Sequence, residues 1–492
     1  MSVEVADAIA GAPVKLFIDG EFRDAKGGAT FVSINPATEQ PIVDIASAGV
    51  DDVDAAVAAA RAAFESGPWS EMPARQRGRI IWRIGELLRE NLEEVAILET
   101  IDNGKPIFES RYVDIPMVAE VFQYYAGWAD KVHGEVIPVS GNALDYTLRE
   151  PLGVVAAIVP WNFPLLLASW KIAPALAMGN TVIVKPASNT SLTALKLAEL
   201  ASQAGLPPGV LNVITGSGAV VGNALVEHPG IDKIAFTGAT STGQGILRRS
   251  ADTLKRITLE LGGKSPNVVF ADADLDAAAK GATNGIFYGK GEVCAAGSRL
   301  LVEKSVAEEF IDRVVERTER MVPGDPMDPK TRMGAIVSKE QLETVLSYVD
   351  AGKSEGARLR TGGDRAVVGD GSGYFLRPAV FDQVDNAMKI AQEEIFGPVL
   401  AAITFEEEDD AIALANDTPY GLAAAVWSRD IGRAHRVARR LKAGTVWVNT
   451  YNRYDTAAPF GGYKESGYGR ELGVHALEHY SQVKNVWVDL GS

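Results

Sequence analysis

Short runs rich in β-branched residues alternate with helical patterns from residue 153 onward, and this alternation constrains the fold more than any other feature. Each run is long enough for one buried strand. The runs lie at 154–159, 181–184, 210–214, 233–236 and 268–270, with a helical stretch at 191–204. Strands that alternate with helices form βαβ units on a mostly parallel sheet, so we predict a doubly wound α/β domain.

A second alternation begins after Glu260. We predict strands near 299–302, 399–403, 423–427 and 445–448, with helices at 307–321 and 339–355. Residues 54–64 and 80–98 have apolar residues at helical spacing and are predicted as helices. Two strand-like segments, 145–149 and 483–488, lie outside both alternations. The sequence therefore predicts two α/β units and two additional strands.

The net charge, the acidic residues near the N-terminus and the short apolar stretches argue against several classes of protein. The 492 residues have a net charge of −16 and a pI near 5.0, so a nucleic acid or an anionic membrane would repel the chain. Residues 1–14 contain Glu4 and Asp7 and lack a basic leader. The longest apolar stretches, 154–159 and 165–170, fall far short of the ~20 residues of a membrane span. We therefore expect a cytoplasmic protein, as a single cysteine also suggests.

Cys294 is the only cysteine, so it can form neither an internal disulfide nor a cysteine-only metal site. It is either a small buried hydrophobic residue or a reactive nucleophile. Gly289, Gly291 and Gly297 let the backbone near it pass close to a bulky group, which a cysteine on a buried strand or helix would not need. The glycines favour the nucleophile.

Two other segments contain the groups that a thiol nucleophile needs. Glu260 lies between leucines just before a Gly-Gly turn, where loss of solvation raises a carboxyl pKa towards the range of a general base. The alternative is a surface glutamate that ends a strand. Asn162 follows an apolar run and lies between prolines. Its amide either faces a ligand as a free donor or forms an Asx turn.

Together these segments resemble the aldehyde dehydrogenase superfamily over nearly the whole chain. Eight segments occur in the family's order, which leaves little room for chance. Apart from those around Cys294, Glu260 and Asn162, they are Lys-Pro-Ala-Ser at 185–188, Phe-Thr-Gly-Ala-Thr-Ser-Thr-Gly at 236–243, Glu-Ile-Phe-Gly-Pro at 394–398, Thr-Pro-Tyr-Gly-Leu at 418–422 and Pro-Phe-Gly-Gly-Tyr-Lys at 459–464. The resemblance implies NAD(P)-dependent oxidation of an aldehyde to the carboxylic acid.

The resemblance also implies a mechanism. Cys294 attacks the aldehyde, Asn162 and a backbone N–H near Cys294 hold the oxyanion, and hydride transfer leaves a thioester that Glu260 hydrolyses through an activated water. Lys171 and Glu471 match positions that relay the proton outward, and the alternative for them is an exposed ion pair.

The sequence lacks the G-x-G-x-x-G motif that usually marks a dinucleotide-binding site. Residues 216–222 follow a strand and only partly match this motif. The resemblance places Gly218 and Gly222 beside the adenosine half, residues 236–242 near the adenine and pyrophosphate, and Glu394 and Phe396 at the nicotinamide end. The full set of cofactor residues implied by the resemblance is Ile158, Pro160, Trp161, Lys185, Ser188, Gly218, Gly222, Phe236, Gly238, Ala239, Thr242, Leu261, Glu394 and Phe396.

Ser188 bears on the choice between NAD and NADP. Strictly NAD-dependent relatives commonly have Glu at this position of the Lys-Pro-Ala-Ser run, where it bonds the ribose hydroxyls and repels a 2′-phosphate. Because this chain has Ser188 and keeps Lys185, we expect it to accept NADP as well as NAD.

By resemblance, Phe163, Trp170, Tyr288, Tyr454 and Phe460 line the substrate tunnel, which suits an uncharged aliphatic or aromatic aldehyde. Relatives that oxidise succinate semialdehyde have arginines where this chain has Trp170 and Tyr288, although Arg453 lies in the loop at the tunnel mouth. A semialdehyde or a betaine-aldehyde type dehydrogenase is the alternative.

A thiol esterase would share the catalytic residues but would not need Lys185, Glu394 or the nucleotide glycines. An acylating enzyme that uses coenzyme A is disfavoured, because it would not need a water-activating Glu260. His475-Ala476-Leu477-Glu478-His479 fits an H-x-x-E-H zinc motif, but only Asp489 follows as a downstream acid for a third ligand, so we predict no metal site.

The resemblance implies the domain organisation. Residues 1–131 and 152–261 form a doubly wound Rossmann-like cofactor domain, and 262–470 form an α/β catalytic domain. Residues 132–151 and 471–492 form a small β element that extends into a neighbouring subunit. The expected partners are an aldehyde and further copies of this chain, which would form a homotetramer or a homodimer.

Overall fold

The structure is a computed structural model that describes residues 3–491, so residues 1, 2 and 492 of the predicted domains lie outside it. The strands, in chain order, are β1 Leu16–Ile18, β2 Glu21–Arg23, β3 Thr30–Ile34, β4 Pro41–Ala46, β5 Val136–Ile137, β6 Ala143–Pro151, β7 Val154–Ile158, β8 Thr181–Lys185, β9 Leu211–Val213, β10 Lys233–Thr237, β11 Arg256–Glu260, β12 Pro266–Val269, β13 Arg299–Glu303, β14 Arg358–Thr361, β15 Ala379–Asp382, β16 Val399–Phe405, β17 Tyr420–Gly421, β18 Ala423–Trp427, β19 Thr445–Val448, β20 Tyr463–Lys464, β21 Gly467–Tyr468 and β22 Ser481–Asp489. The α-helices are α1 Val3–Ala10, α2 Val50–Glu65, α3 Ala74–Glu90, α4 Leu92–Asn103, α5 Ile107–Glu109, α6 Ile115–Trp128, α7 Pro164–Ala177, α8 Leu192–Gln203, α9 Asn223–Glu227, α10 Thr240–Ser250, α11 Leu275–Phe287, α12 Ala307–Glu319, α13 Lys339–Ser354, α14 Lys389–Gln392, α15 Glu408–Asn416, α16 Ile431–Arg440 and α17 His475–Glu478.

The first sheet has the strand order β2-β1-β9-β8-β7-β10-β11-β21, and strands β9, β8, β7, β10 and β11 are parallel. The chain winds outward from β7 to β8 and β9, then returns to the other side of β7 for β10 and β11. This reversal opens a crevice at the carboxyl ends of β7 and β10, which is where doubly wound sheets bind ligands. The predicted doubly wound fold is confirmed.

Central strands β7, β8 and β10 are buried along their whole length. Helices cover both faces of a parallel sheet, so its inner strands read as continuous apolar runs rather than alternating patterns. That is why their positions can be predicted from sequence.

The second sheet has the order β14-β15-β16-β13-β12-β18-β19 and is parallel except for the edge strand β14. The run 268–270, which the sequence grouped with the first alternation, corresponds to β12 and belongs to this sheet. Its apolar pattern is that of any buried parallel strand, so only its pairing with β13 and β18 identifies its sheet.

Strands β6 and β22 pair antiparallel over their whole length, from Ser481 opposite Pro151 to Asp489 opposite Ala143. With β5 they form a separate three-stranded sheet. The two-residue strand β21 does not join this element or the second sheet, but extends the first sheet beside β11.

The predicted single helix over 80–98 is wrong: α3 ends at Glu90 and α4 begins at Leu92. The side-chain amide of Asn91 donates to the carbonyl of Leu87 at 2.8 Å, which satisfies the end of α3 and lets the chain change direction. Within residues 3–491, the structure contains no helix with the length and apolar character to cross a membrane.

Candidate active site

The carboxyl ends of four neighbouring strands bring predicted site residues to one edge of the first sheet. Lys185 ends β8, Ile158 ends β7, Thr237 ends β10 and Glu260 ends β11. Asn162 lies in the turn between β7 and α7 at the same edge. The parallel register aligns these ends, so residues far apart in sequence face a common crevice.

Cys294 reaches this edge from the second unit, in the loop between α11 and β13. Gly289, Lys290 and Gly291 have φ values of 57°, 62° and 71°, and this left-handed turn directs the loop. Gly291 also lies so close to Gly397 that a Cβ would fall 2.4 Å from its carbonyl carbon. The glycines therefore meet a steric need, as the sequence suggested.

The thiol is partly exposed and contributes to the walls of two cavities, one on each side of it. Burial, followed by the negative charges of Glu394 and Glu260, raises the pKa of Cys294 to about 12. The resting group is thus a neutral thiol that needs a base before it can attack.

Asn162 is buried and its amide is already engaged on one side. Its Nδ2 donates to the main-chain carbonyl of Glu292 at 2.9 Å, which corrects the expectation of a wholly free donor. An amide nitrogen has two hydrogens, so one N–H is left for a ligand. Within residues 3–491, no hydrogen bond uses the backbone N–H of Cys294, which gives the site a second available donor.

Glu260 is 5% exposed, so the alternative of a surface glutamate is wrong. Neither of its carboxylate oxygens has a hydrogen-bond partner among residues 3–491. Burial, followed by the charge of Glu471, raises the pKa of Glu260 well above the ordinary value. A desolvated, unpartnered carboxyl whose charge acts on the Cys294 thiol is suited to proton transfer.

Lys171 and Glu471 form a buried ion pair, not the exposed pair that was the alternative. Lys171 Nζ lies 2.5 Å from Glu471 Oε1 and donates to Thr237 Oγ1 at 2.6 Å. The side chain of Lys171 is fully buried and that of Glu471 is 6% exposed. The charge of Glu471 raises the pKa of Glu260 and that of Lys171 lowers it, so the ion pair influences the proton affinity of the proposed base.

Two adjoining cavities follow the crevice on one side of Cys294. A cleft of about 600 Å³ lies over the ends of β7, β8 and β10, and a cavity of about 240 Å³ connects it to the thiol. All fourteen residues predicted to bind the cofactor line one or both of these cavities. A Cβ on Gly218 would have no atom within 4 Å, so this stretch of wall is open backbone.

Glu394 and Phe396 form the end of this path nearest Cys294. Glu394 Oε1 accepts from the Gly263 N–H at 3.0 Å, and burial raises the pKa of Glu394 to about 7. The ring of Phe396 packs edge-on against Trp161, with centroids 5.1 Å apart. Gln341, which the sequence analysis missed, lines the cavity and donates to the carbonyl of Phe396 at 2.8 Å. It lies on a helix outside every recognised motif, so the sequence contained no signal for it.

Lys185 and Ser188 both line the outer cleft. Burial lowers the pKa of Lys185 to about 8, and its Nζ donates to the carbonyl of Pro186 at 2.8 Å. Ser188 Oγ donates to the carbonyl of Gly216 at 3.0 Å. Among residues 3–491, neither group is paired with a carboxylate.

On the other side of Cys294 lies an aromatic cavity, lined by all five residues predicted for the substrate. Phe163 stacks on Tyr288 with centroids 6.1 Å apart. Trp170, Tyr454 and Phe460 pack together, with centroids 5.5 to 6.5 Å apart.

The remaining wall of this cavity was not predicted. It consists of Val113, Asp114, Met117, Leu166, Leu167, Val293 and Asn452. The Asp114 carboxylate is paired with Lys105 Nζ at 2.6 Å, so it does not offer a free negative charge. Arg453 is exposed and is not part of the lining.

Comparisons with known proteins agree with this arrangement. The model of the aldehyde dehydrogenase family matches residues 22–486. An aldehyde dehydrogenase from Enchytraeus buchholzi is 50% identical over 476 residues, which are 96% of this chain and 95% of that protein. The NAD+ complex of an aldehyde dehydrogenase from Bacillus cereus is 48% identical with a TM-score of 0.97, and covers 100% of this chain and 99% of that one. A mutant indole-3-acetaldehyde dehydrogenase from P. syringae, in complex with NAD+ and IAA, is 46% identical with a TM-score of 0.97 and covers 99% of each chain. The chain therefore belongs to the aldehyde dehydrogenase family, and it is an enzyme that oxidises aldehydes.

Proposed function

We propose that the enzyme oxidises an uncharged aliphatic or aromatic aldehyde to the carboxylic acid through a covalent intermediate on Cys294. The observation that carries the proposal is the position of this thiol between an aromatic cavity and a long cleft at strand ends. An aldehyde carbon in the first cavity could then face a hydride acceptor in the second.

The cleft fits a nicotinamide dinucleotide. Its outer part is open backbone at Gly218 and lies beside the N-terminus of α10, which favours phosphate charge. Its inner part ends at Glu394, whose carboxylate can accept hydrogen bonds from a ribose, and at the ring of Phe396. A bound nicotinamide supplies the acceptor for the hydride.

The first half of the reaction uses Cys294 and Asn162. The thiol, which is partly exposed, loses its proton to water, and Sγ forms a bond to the aldehyde carbon. The second N–H of Asn162 and the backbone N–H of Cys294 stabilise the oxyanion. Loss of hydride from that carbon leaves a thioester on Cys294.

The second half uses Glu260 and the buried pair behind it. The Glu260 carboxylate removes a proton from water, whose oxygen attacks the thioester carbon and expels the Cys294 thiolate, leaving the carboxylic acid. The proton on Glu260 must then leave a buried site. The Lys171–Glu471 pair supports an outward route, since both of its charges act on Glu260 and Lys171 also donates to Thr237.

The lining of the substrate cavity favours an uncharged aldehyde. Its aromatic and aliphatic walls would leave an anion without a partner, and Arg453 does not reach them. The P. syringae relative is an indole-3-acetaldehyde dehydrogenase, which supports an aryl substrate for this enzyme. The same walls count against semialdehydes with a distal carboxylate.

We also propose that NADP is accepted beside NAD. Ser188 adds no negative charge to the outer cleft, and a 2′-phosphate near Lys185 would favour the charged form of its amine.

The domain assignment and the oligomer belong to the same proposal. Residues 132–151 and 471–492 serve association between copies of the chain, as a tetramer or a dimer. Their three-stranded sheet leaves Val136, Val483 and Trp487 more than half exposed, which supports this role.

A panel of aldehydes tests the proposal. Propanal and benzaldehyde should reduce either cofactor, and succinate semialdehyde should be a poor substrate. Cys294→Ala should abolish both aldehyde oxidation and ester hydrolysis while binding NAD as the wild type does. Turnover near the wild-type rate in this variant would remove Cys294 from the mechanism.

A further inference from the structure

The loop before Cys294 contains an ion pair that the proposed chemistry does not use. Lys290 Nζ lies 2.8 Å from Glu292 Oε2, and both side chains are 1% exposed. Lys290 also has a left-handed backbone, with φ of 62°. Such a residue is strained and needs its surroundings to hold it in place.

Lys290 is bound on all sides. Besides Glu292, its ammonium donates to both the main-chain and the side-chain carbonyl of Asn103 at 2.9 Å. Asn103 Nδ2 in turn donates to the carbonyl of Trp161 at 2.7 Å. Lys290 is therefore linked through one residue to the turn that contains Asn162.

Glu292 reaches the same turn by a second route. Its Oε1 accepts from the Val337 N–H at 3.0 Å, which fixes the side chain on the far side. Its main-chain carbonyl accepts from Asn162 Nδ2 at 2.9 Å. Lys290 therefore holds Trp161, the residue before Asn162, through Asn103, and Glu292 holds the Asn162 amide directly.

We propose that the Lys290–Glu292 ion pair is a positioning device that fixes the Asn162 amide relative to the Cys294 thiol. The inference rests on the proposed function, because it assumes that these two groups act on the aldehyde. A buried ion pair adds little net stability, since loss of solvation offsets the attraction. We infer that this pair instead fixes the position of the Asn162 amide. A shift of ~1 Å in a reacting group can slow a reaction on the order of 100-fold.

The test compares Lys290→Met with the double variant Lys290→Met/Glu292→Gln. The single variant leaves the Glu292 carboxylate buried and unpaired, whereas the double variant leaves no unpaired buried charge and should fold even if the single variant does not. Arg360→Met is the control, because Arg360 also pairs with a buried carboxylate, Asp382, at 2.7 Å, but at the remote edge of the second sheet. For each folded variant we would measure the burst rate of nicotinamide reduction, the Kd for NAD by fluorescence, and the rate at which iodoacetamide alkylates Cys294.

We expect the burst rate to fall on the order of 100-fold in both Lys290 variants, with the Kd for NAD and the alkylation rate within about threefold of wild type. Alkylation needs the thiol but no oxyanion site, so a purely structural disturbance would not separate the two rates. A wild-type burst rate in the folded double variant, or an equal fall in Arg360→Met, would overturn the inference. Failure of the proposed function would show differently, as full turnover in Cys294→Ala.

Discussion

At the scale of single residues, burial favours the neutral form of both central groups. Burial raises the pKa of the Cys294 thiol to about 12 and raises that of the Glu260 carboxyl well above its ordinary value. No positive side chain lies within ion-pair distance of Glu260 in the described residues, although Lys171 and Arg470 lower its pKa from farther away. The structure thus favours a thiol that reacts only when a proton acceptor and a substrate are both in place.

This environment predicts the pH dependence of thiol reactivity without cofactor. The thiolate is the reactive form, and its fraction rises with pH until the pH exceeds the raised pKa. Alkylation of the wild type by iodoacetamide should therefore keep rising from about pH 6 to about pH 10. Cys294→Ala, which has no thiol, is the blank. A rate that levels off near neutral pH would show that the thiol is activated in the free enzyme.

Ser188 and Lys185 carry the prediction about the cofactor. Wild-type kcat/KM for NADP should be at least comparable to that for NAD. Ser188→Glu should shift the preference towards NAD by the ~1–3 kcal/mol of a close charge contact, and Lys185→Ala should impair NADP more than NAD. Measuring kcat/KM for both cofactors in the three proteins decides the matter. A wild type that ignores NADP would mean that Ser188 is only a small residue in an NAD site.

At the scale of elements, the sequence predicted most accurately the strands that are buried on both faces. Strands β7, β8 and β10 were predicted to within a residue because both of their faces are buried. The break at Asn91 was missed because the apolar spacing continues across it.

The site residues at strand ends could also be predicted from the sequence, whereas those that lie on helices outside the motifs could not. Motif residues such as Glu260 and Lys185 end strands, so their clustering follows from the parallel register. Gln341 and Asp114 reach the cavities from helical segments outside the motifs, and only tertiary packing brings them there.

The link between α7 and the segment after β21 gives a prediction at this scale. Lys171→Met leaves the buried Glu471 carboxylate unpaired and should lower the free energy of unfolding by about 3–5 kcal/mol, whereas Lys171→Met/Glu471→Gln should recover part of that loss. Urea unfolding of both variants measures the difference. Equal losses in the two proteins would show that the pair is not coupled in the folded state.

At the scale of the whole molecule, the active site forms between two units: the first sheet contributes Glu260 and the nucleotide cleft, and the second contributes the Cys294 loop. The fold class and the family were both correctly predicted from sequence. The two-residue strand β21, which ties residues 467–468 back to the first sheet, is too short for any sequence pattern to reveal.

The oligomer is the prediction that belongs to this scale. Val483 and Trp487 are each 56% exposed, and their spacing along β22 places them on one face of the sheet. Replacing both with lysine should lower the mass measured by sedimentation, because lysines there would oppose association. Val367→Lys, at a loop position that is 84% exposed, is the control. An unchanged mass in the double variant would exclude β22 from the interface.

The central claim is that oxidation passes through a thioester on Cys294 that Glu260 hydrolyses. The direct measurement is rapid mixing of Glu260→Gln with benzaldehyde and NAD, followed by acid quench and mass spectrometry. The account predicts one burst of reduced nicotinamide, no steady turnover, and a benzoyl group on the peptide that contains Cys294. Steady turnover at the wild-type rate, or a burst with no acyl group on Cys294, would contradict it.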